Sequence, residues 1–534
     1  MDSLQKNKQK SVPVGLRQYV FRHPRRVVFV KNLVVLTCTA LLMRGIGVAF
    51  GSYLTAHIGA QGMGLYSLIM SVYTFAVTFA SSGINLAITR LIAEELGKDN
   101  PGGARRVLRA GIAYAMFFGI LASVLLFVLA RPIGQHWLDD ERTVSSLKLL
   151  SMTLCPIALG AVFNGYFTAV RRVEKNAIVS AAEQAVKIIL TVFLVTHLAS
   201  RGIEYACLAM VGGSCIAEGS SLGLYLVFCA RDCRRYLQNG NNRPIRALQQ
   251  VRHIALPVAV TSWVRTGLVT LEQILIPKGL VKHGARSEEA IAAYGVIHGM
   301  AFPVIFFPTA FLSTFAGLII PELAEYHASG NREAIQRFCA KIYGLTLLFA
   351  VGCSGILMFL ADPIGMALYD SPQACRFIRI FAALIPMMYL DTVTDSILKG
   401  LGAQFTVMLI NLLDATVCVL SVLWFVPLWG IDAYIWIVFG SEILNLALSI
   451  TKLCTLTPMR FRARQWFFAP LTAIIGATSA ANLLLPHLPF GSLHTAWCIS
   501  LHVVFTTLLY LIFYIALCPN IRLRRREKVN QSSP

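Results

Sequence analysis

Apolar runs of about 20 residues recur from one end of this chain to the other, and each is long enough to cross a bilayer as an α-helix. A backbone in the hydrocarbon core must satisfy its own hydrogen bonds, which leaves helices or closed barrels. The residue-by-residue alternation of a transmembrane barrel is absent. Of the 534 residues, 56% are hydrophobic and 14% charged, whereas a soluble domain is about 25% charged. The expected fold class is therefore an all-α polytopic membrane protein. About fourteen transmembrane helices are expected, from a first span near 32–56 to a last pair near 465–486 and 494–518. "DNPGG" (99–103), "NGNNRP" (239–244) and "ADP" (361–363) mark joints between spans.

The net charge of +21 suggests nucleic acid in a soluble protein. Here the basic residues gather in short segments between apolar runs, as the positive-inside rule produces. With the N-terminus in the cytoplasm, 34 of the 47 Lys and Arg fall in cytoplasmic segments, 9 in outer loops and four inside spans. The chain is thus expected to be a multi-pass protein of the cell membrane with both termini cytoplasmic and no nucleic-acid partner. No small-residue cleavage site follows a short apolar core, so no removable signal peptide is expected. "HPRRVVFVK" (23–31) and "RLRRREK" (522–528) read as topology signals that touch anionic membrane lipid.

The chain also resembles itself. At an offset of 231, Ala93 meets Ala324, Glu94 meets Glu325, Asn100 meets Asn331, Arg106 meets Arg337, and Glu183 meets Asp414. "RGIEYA" (201–206) meets "WGIDAY" (429–434) at 228, and Arg44 meets Arg265 at 221. Six spans separate the copies, an even number, so the repeats are parallel. The expected organisation is a basic tail (1–31), an N-terminal six-helix lobe (32–230), a basic linker (231–251), a C-terminal six-helix lobe (252–454), two further spans (455–518) and a basic tail (519–534). A central cavity is expected between such lobes, as in transporters.

Enzyme signatures are missing. There is no G-x-x-x-x-G-K-[ST] loop, no H-E-x-x-H and no Ser/His/Asp constellation. Cys229 and Cys233 lack a histidine at metal spacing, so neither a metal site nor a cofactor is expected. The informative residues are ionisable groups inside spans, which normally face a bundle interior or a water-filled cavity. Arg44 and Arg265 are central in their spans. Two guanidiniums facing one cavity would hold phosphate or pyrophosphate through paired charge-assisted hydrogen bonds. Alternatively each pairs with an acid of its own lobe, and Glu272, two turns from Arg265 on the same face, is such a partner. His298 precedes Pro303 and Pro308. It either adds a switchable cation to the cavity or serves as a packing hydrogen-bonder. Asp391 and Asp395, four apart, are candidates with Glu272 for coupling to Na⁺, H⁺ or membrane potential, or else they pair with Lys399. Glu183 and Lys187 read as a pair that neutralises itself along one helix face, and Arg90 as a residue that snorkels to the interface.

Several segments together resemble the multidrug/oligosaccharidyl-lipid/polysaccharide exporter superfamily, in its sporulation and lipid II flippase branch. They are "GAQGMGLYSL" (59–68), "GINLAITRLIAEE" (83–95), "GYFTAVRRVEKNAIVSAAEQAVKI" (165–188) and "YGVIHGMAFPVIFFPTAFLSTFAGLIIPELAE" (294–325). The likeness runs over roughly 33–455. It implies a fourteen-helix flippase with two lobes around a cationic cavity, moving an undecaprenyl-pyrophosphate-linked cell-wall sugar by alternating access. Spore cortex synthesis and cell-wall synthase partners are among the implied settings. In such flippases Arg44 matches a first-helix arginine, His298 stands where an eighth-helix arginine is expected, and Phe50 replaces a second first-helix arginine. Arg265 comes from the internal repeat alone. The alternative is Na⁺- or H⁺-coupled multidrug extrusion, whose cavity should carry acids rather than arginines.

Overall fold

The computed structural model describes residues 25–98, 100–236, 246–457, 462–484 and 495–517. The basic tail before 25, the core of the linker (237–245) and the tail at 519–534 with its "RLRRREK" motif lie outside the described residues. So do the side chains of 25–39. Among the described residues the chain is helical, and we number its α-helices in order. They are α1 Arg25–Ser81, α2 Ile84–Gly97, α3 Pro101–Pro132, α4 Thr143–Ser151, α5 Leu154–Ala169, α6 Val173–Leu198, α7 Ile203–Tyr236, α8 Ala247–His283 and α9 Ser287–Gly295. Then follow α10 Phe302–Ile305, α11 Thr309–Ala328, α12 Arg332–Phe359, α13 Ala361–Tyr369, α14 Pro372–Ala382, α15 Ile385–Gly400, α16 Gln404–Leu456, α17 Ala469–Leu484 and α18 Thr495–Leu517.

Among the described residues nine helices are long and apolar enough to cross a membrane, or eleven if two bent pairs each count as one span. Two of the nine each join two expected spans across a glycine with positive φ, Gly59 (φ 67°) in α1 and Gly430 (φ 62°) in α16. A side chain is strained in that left-handed region, so glycine can turn the chain there without a loop. The expected eighth span is divided among α9, a π-turn at Val296–Ala301, α10 and α11. Large apolar side chains cover the outside, with Phe117, Val128, Ile189 and Trp436 all well over half exposed. Such a surface is stable against lipid and costly against water.

The backbone carries the internal repeat more clearly than the side chains do. Asn100 caps α3 by accepting from the Gly103 N–H at 3.1 Å, and Asn331 caps α12 from the Ala334 N–H at 3.0 Å. Both members of the second pair stand 231 residues after the first. The same offset relates Asp139 (φ 51°) to Asp370 (φ 45°) and Arg171 (φ 58°) to Gly402 (φ 83°). It also relates the break between α4 and α5, bent by 44°, to that between α14 and α15, bent by 50°. "ARPIG" (130–134) recurs as "ADPIG" (361–365). A Cβ on Gly134 would strike Val144, and one on Gly365 would strike Cys375, again 231 apart. Gly202 (φ 123°) and Gly430 stand 228 apart, as "RGIEYA" and "WGIDAY" require.

Two compact units emerge. The first holds Met1–Thr39 with His57–Lys278, the second Ala40–Ala56 with Gly279–Pro534. The sequence repeat placed the lobe boundaries at 32–230 and 252–454. The compact units differ: most of the first span packs with the second unit and most of the seventh with the first. Packing explains the exchange. In the first unit Trp263 of α8 lies against Phe79 (4.7 Å between ring centroids) and Phe118 (5.8 Å). Thr270 donates to the Ser71 carbonyl at 3.2 Å. Lys278 donates to the His136 carbonyl at 2.8 Å and pairs with Asp139 at 3.0 Å. Gly83, the break between α1 and α2, sits so close to Ala255 that a Cβ would collide with its carbonyl. In the second unit Ser52 donates to the Leu368 carbonyl, and Gly45 faces the Phe307 ring. The last two helices pack on α12 around Val351, Ala473, Ile474, Ala477 and Tyr510, and the Tyr510 hydroxyl donates to the Leu348 carbonyl at 2.7 Å.

Candidate functional site

In the second unit the candidate site is built around the broken eighth span. Pro303 and Pro308 lack N–H groups, so the chain between α10 and α11 is bonded as a tight turn rather than a regular helix. The Phe306 carbonyl in this turn accepts from the Thr309 N–H at 3.1 Å, and also from Arg44 Nη1 and Thr309 Oγ1, each at 2.6 Å. Arg44 is exposed and among the described residues forms no ion pair. Its fork is held by one strong bond to a carbonyl, which leaves the positive charge uncompensated. Tyr389, fully buried, lies within electrostatic reach of Arg44, and its hydroxyl has no hydrogen-bond partner.

His298 belongs to the same unit but is placed differently. It lies in the π-turn, where one extra residue per turn rotates the side chain off the regular helix face. Its Nε2 meets the Tyr434 hydroxyl at 3.0 Å. Its ring stacks on Tyr294 at 4.3 Å and meets the edge of Phe302 at 5.0 Å. The imidazole is thus enclosed by rings and bonded to a phenol, a strut between the eighth and twelfth spans. Tyr434 carries this contact from a distant helix and no sequence spacing pointed to it.

Asp391 and Asp395 of α15 gather with two acids that the sequence left without neighbours. The Asp395 Oδ2 accepts from Asn411 Nδ2 at 3.2 Å and lies 3.6 Å from Lys399 Nζ. Asp414 accepts from the Ser441 hydroxyl at 2.6 Å. Glu442 is within electrostatic reach of Asp391, Asp414 and Asp395. The turn at Gly430 folds α16 back on itself and brings Asp414 and Glu442 to the same end of the cluster. Glu442 is thus within reach of three aspartates, and Lys399, 40% exposed, pairs with one of them, Asp395.

In the first unit Arg265 is exposed on α8, two residues past Trp263, and among the described residues it makes no ion pair. Glu272 is half-buried one further stretch along the same helix. Glu183 and Lys187 are joined by Glu218: Glu183 accepts from the Ser221 hydroxyl, and Glu218 lies within reach of both Glu183 and Lys187. Arg90 pairs with Glu94 at 2.9 Å on an exposed helix face. Among the described residues no group of three His, Cys, Asp or Glu is set to hold a metal ion.

Residues 29–264 match a family described as polysaccharide biosynthesis protein. The chain is 23% identical over 395 residues to Stage V sporulation protein B of Bacillus subtilis (strain 168), covering 73% of this chain and 76% of that one. A solved structure of the lipid II flippase MurJ in its inward closed conformation aligns with a TM-score of 0.67 at 13% identity, over 91% of this chain and 99% of that one. An inward-facing multidrug resistance transporter of the MATE family aligns with a TM-score of 0.60 at 12% identity, over 78% and 96%. The chain is thus similar in sequence to Stage V sporulation protein B and shares its fold with solved MurJ and MATE structures, as its motifs led us to expect.

Proposed function

We propose that this protein is a flippase that carries an undecaprenyl-pyrophosphate-linked cell-wall sugar across the membrane by alternating access. The observation that carries the reading is Arg44. A guanidinium in the middle of a membrane span, exposed and with no acid partner among the described residues, is expensive unless it serves a ligand. Its bond to the Phe306 carbonyl fixes the fork in place. The remaining N–H groups suit the oxygens of a pyrophosphate, which a planar fork binds in pairs. Arg265, in the first unit, is likewise an exposed mid-span guanidinium. The names of the relatives support this substrate class, and the sporulation relative supports a role in spore cell-wall synthesis.

In this reading His298 positions the broken eighth span through Tyr434. The Asp391, Asp395, Asp414 and Glu442 cluster takes up a proton or Na⁺ as the coupling step, with Glu272 as a lesser candidate. In this reading no cofactor is required, and the 34 to 9 distribution of basic residues supports both termini lying in the cytoplasm. The test is flipping of a labelled polyprenyl-pyrophosphate sugar in proteoliposomes. Arg44→Ala and Arg265→Ala are expected to slow it; flipping at the wild-type rate in both variants defeats the proposal. The MATE-like fold keeps multidrug extrusion as a second reading. Drug efflux by cells expressing the protein, without flipping in vesicles, would establish that reading instead.

A further inference from the structure

The start of α8 carries a feature that transport through Arg44 does not use. An open hollow of about 750 Å³ runs along the first turns of this helix, lined by Arg246, Gln249, Arg252 and His253 with Leu248 and Leu256. The four polar side chains are exposed. Leu248 and Leu256 are exposed as well, at 47% and 37%. The hollow therefore pairs cations with bare leucine surface. The N–H groups of the first turn of a long helix add the positive end of its dipole.

A second observation comes from α3. Tyr114 is 94% buried, being 6% exposed, and its hydroxyl has no hydrogen-bond partner. A buried phenol without a partner is costly. Tyr114 stands one turn before Phe118, whose ring meets Trp263 of α8 at 5.8 Å. Arg252 stands three turns before Trp263 and so returns to the same face of α8. Tyr114 and Arg252 lie within electrostatic reach of each other, although Tyr114 does not itself line the hollow.

We infer that this hollow holds the headgroup of an anionic phospholipid, with Arg246 and Arg252 on its phosphate, Tyr114 donating from beneath, and Leu248 and Leu256 against the first carbons of its chains. Basic pockets between membrane helices on the positively charged side suit such headgroups. The exposed leucines favour a lipid over a soluble anion, because a soluble anion gains nothing from them. By the distribution of basic residues the site faces the cytoplasmic leaflet.

The test is the number and affinity of lipids retained by the purified full-length protein, read by native mass spectrometry during titration with phosphatidylglycerol or phosphatidylcholine. Wild type should retain one phosphatidylglycerol in preference to phosphatidylcholine. Arg246→Gln and Arg252→Gln should each weaken that retention about fivefold, and Tyr114→Phe about twofold to threefold. Arg246→Lys/Arg252→Lys keeps the charge and should hold within about threefold, which separates loss of the site from loss of the fold. Equal retention of both lipids, or undiminished retention by the glutamine variants, overturns the inference. If inorganic phosphate displaces phosphatidylglycerol at matched concentration, the site belongs to a soluble anion and the lipid assignment falls.

Discussion

The two repeats share a backbone and differ in their charges. Between the fifth and sixth spans of the first repeat, Glu183 and Glu218 have Lys187 among them. Between the tenth, eleventh and twelfth spans of the second, Glu442 lies within electrostatic reach of Asp391, Asp395 and Asp414, and Lys399 pairs with Asp395. Glu183 and Asp414 stand 231 apart, so the same position serves both clusters. A cation inside the first cluster makes it nearly neutral and cheap to insert. The second gathers more carboxylates than the first, a cluster of the kind that a proton or cation would offset. One cluster is thus suited to holding helices together and the other to exchanging an ion. The arginines differ in parallel: Arg44 is pinned to the Phe306 carbonyl, whereas among the described residues Arg265 has no such anchor.

The largest expected effect tests the arginines. Arg44→Ala should slow flipping in proteoliposomes by about 100-fold, since two charge-assisted contacts of about 1.5 kcal/mol each are lost. Arg265→Ala should cost about tenfold, because an unanchored fork must be ordered on each cycle. Equal losses in the two variants would erase the distinction between them. Next come the acids. Glu442→Gln or Asp414→Asn should remove most of the stimulation by an imposed Na⁺ or H⁺ gradient, about tenfold, whereas Glu218→Gln should change transport less than about twofold. A gradient response that survives in both second-repeat variants would place coupling elsewhere.

Lys187→Met sharpens the same contrast from the side of stability. It leaves Glu183 and Glu218 facing each other without their cation, at a cost of about 2 kcal/mol, discounted from the value for a fully buried pair because all three side chains are half-buried. The apparent melting temperature of the purified protein should fall, and adding Glu218→Gln should restore part of it. A Lys187→Met variant as stable as wild type would mean that the first cluster does not need its cation.

Much of this was legible in the sequence. Apolar runs set the spans because a membrane leaves the backbone few options, whereas the tight returns at Gly59, Gly202 and Gly430 emerge only in the backbone. The repeat was visible through a few charged and polar landmarks, and Asn100 with Asn331 turned out to be equivalent helix caps. "ARPIG" and "ADPIG" carried the same message and were overlooked. What could not be read were contacts set by packing between distant helices. The exchange of the first and seventh spans depends on Trp263 meeting Phe79 and on Ser52 reaching Leu368, which no local pattern encodes. The acids at 391, 395, 414 and 442 meet only because α16 folds back at Gly430. His298 is enclosed because a π-turn rotates it towards Tyr434.

The smallest expected effect tests the shared backbone itself. Arg171 and Gly402 occupy the same left-handed position in the two repeats, at φ 58° and φ 83°. A Cβ at Gly402 would meet nothing within 4 Å, so only the backbone resists a side chain there. Gly402→Ala should therefore cost about 1 kcal/mol, the price of a left-handed residue with a Cβ. Arg171 already bears that cost, so Arg171→Gly should relieve it. The gain is offset by the greater freedom of glycine in the unfolded chain, which leaves a net change within about 0.5 kcal/mol. Melting of the two purified variants reads this directly. A marked loss in Arg171→Gly would mean that its side chain holds the turn, and that the two repeats reach one conformation by different means.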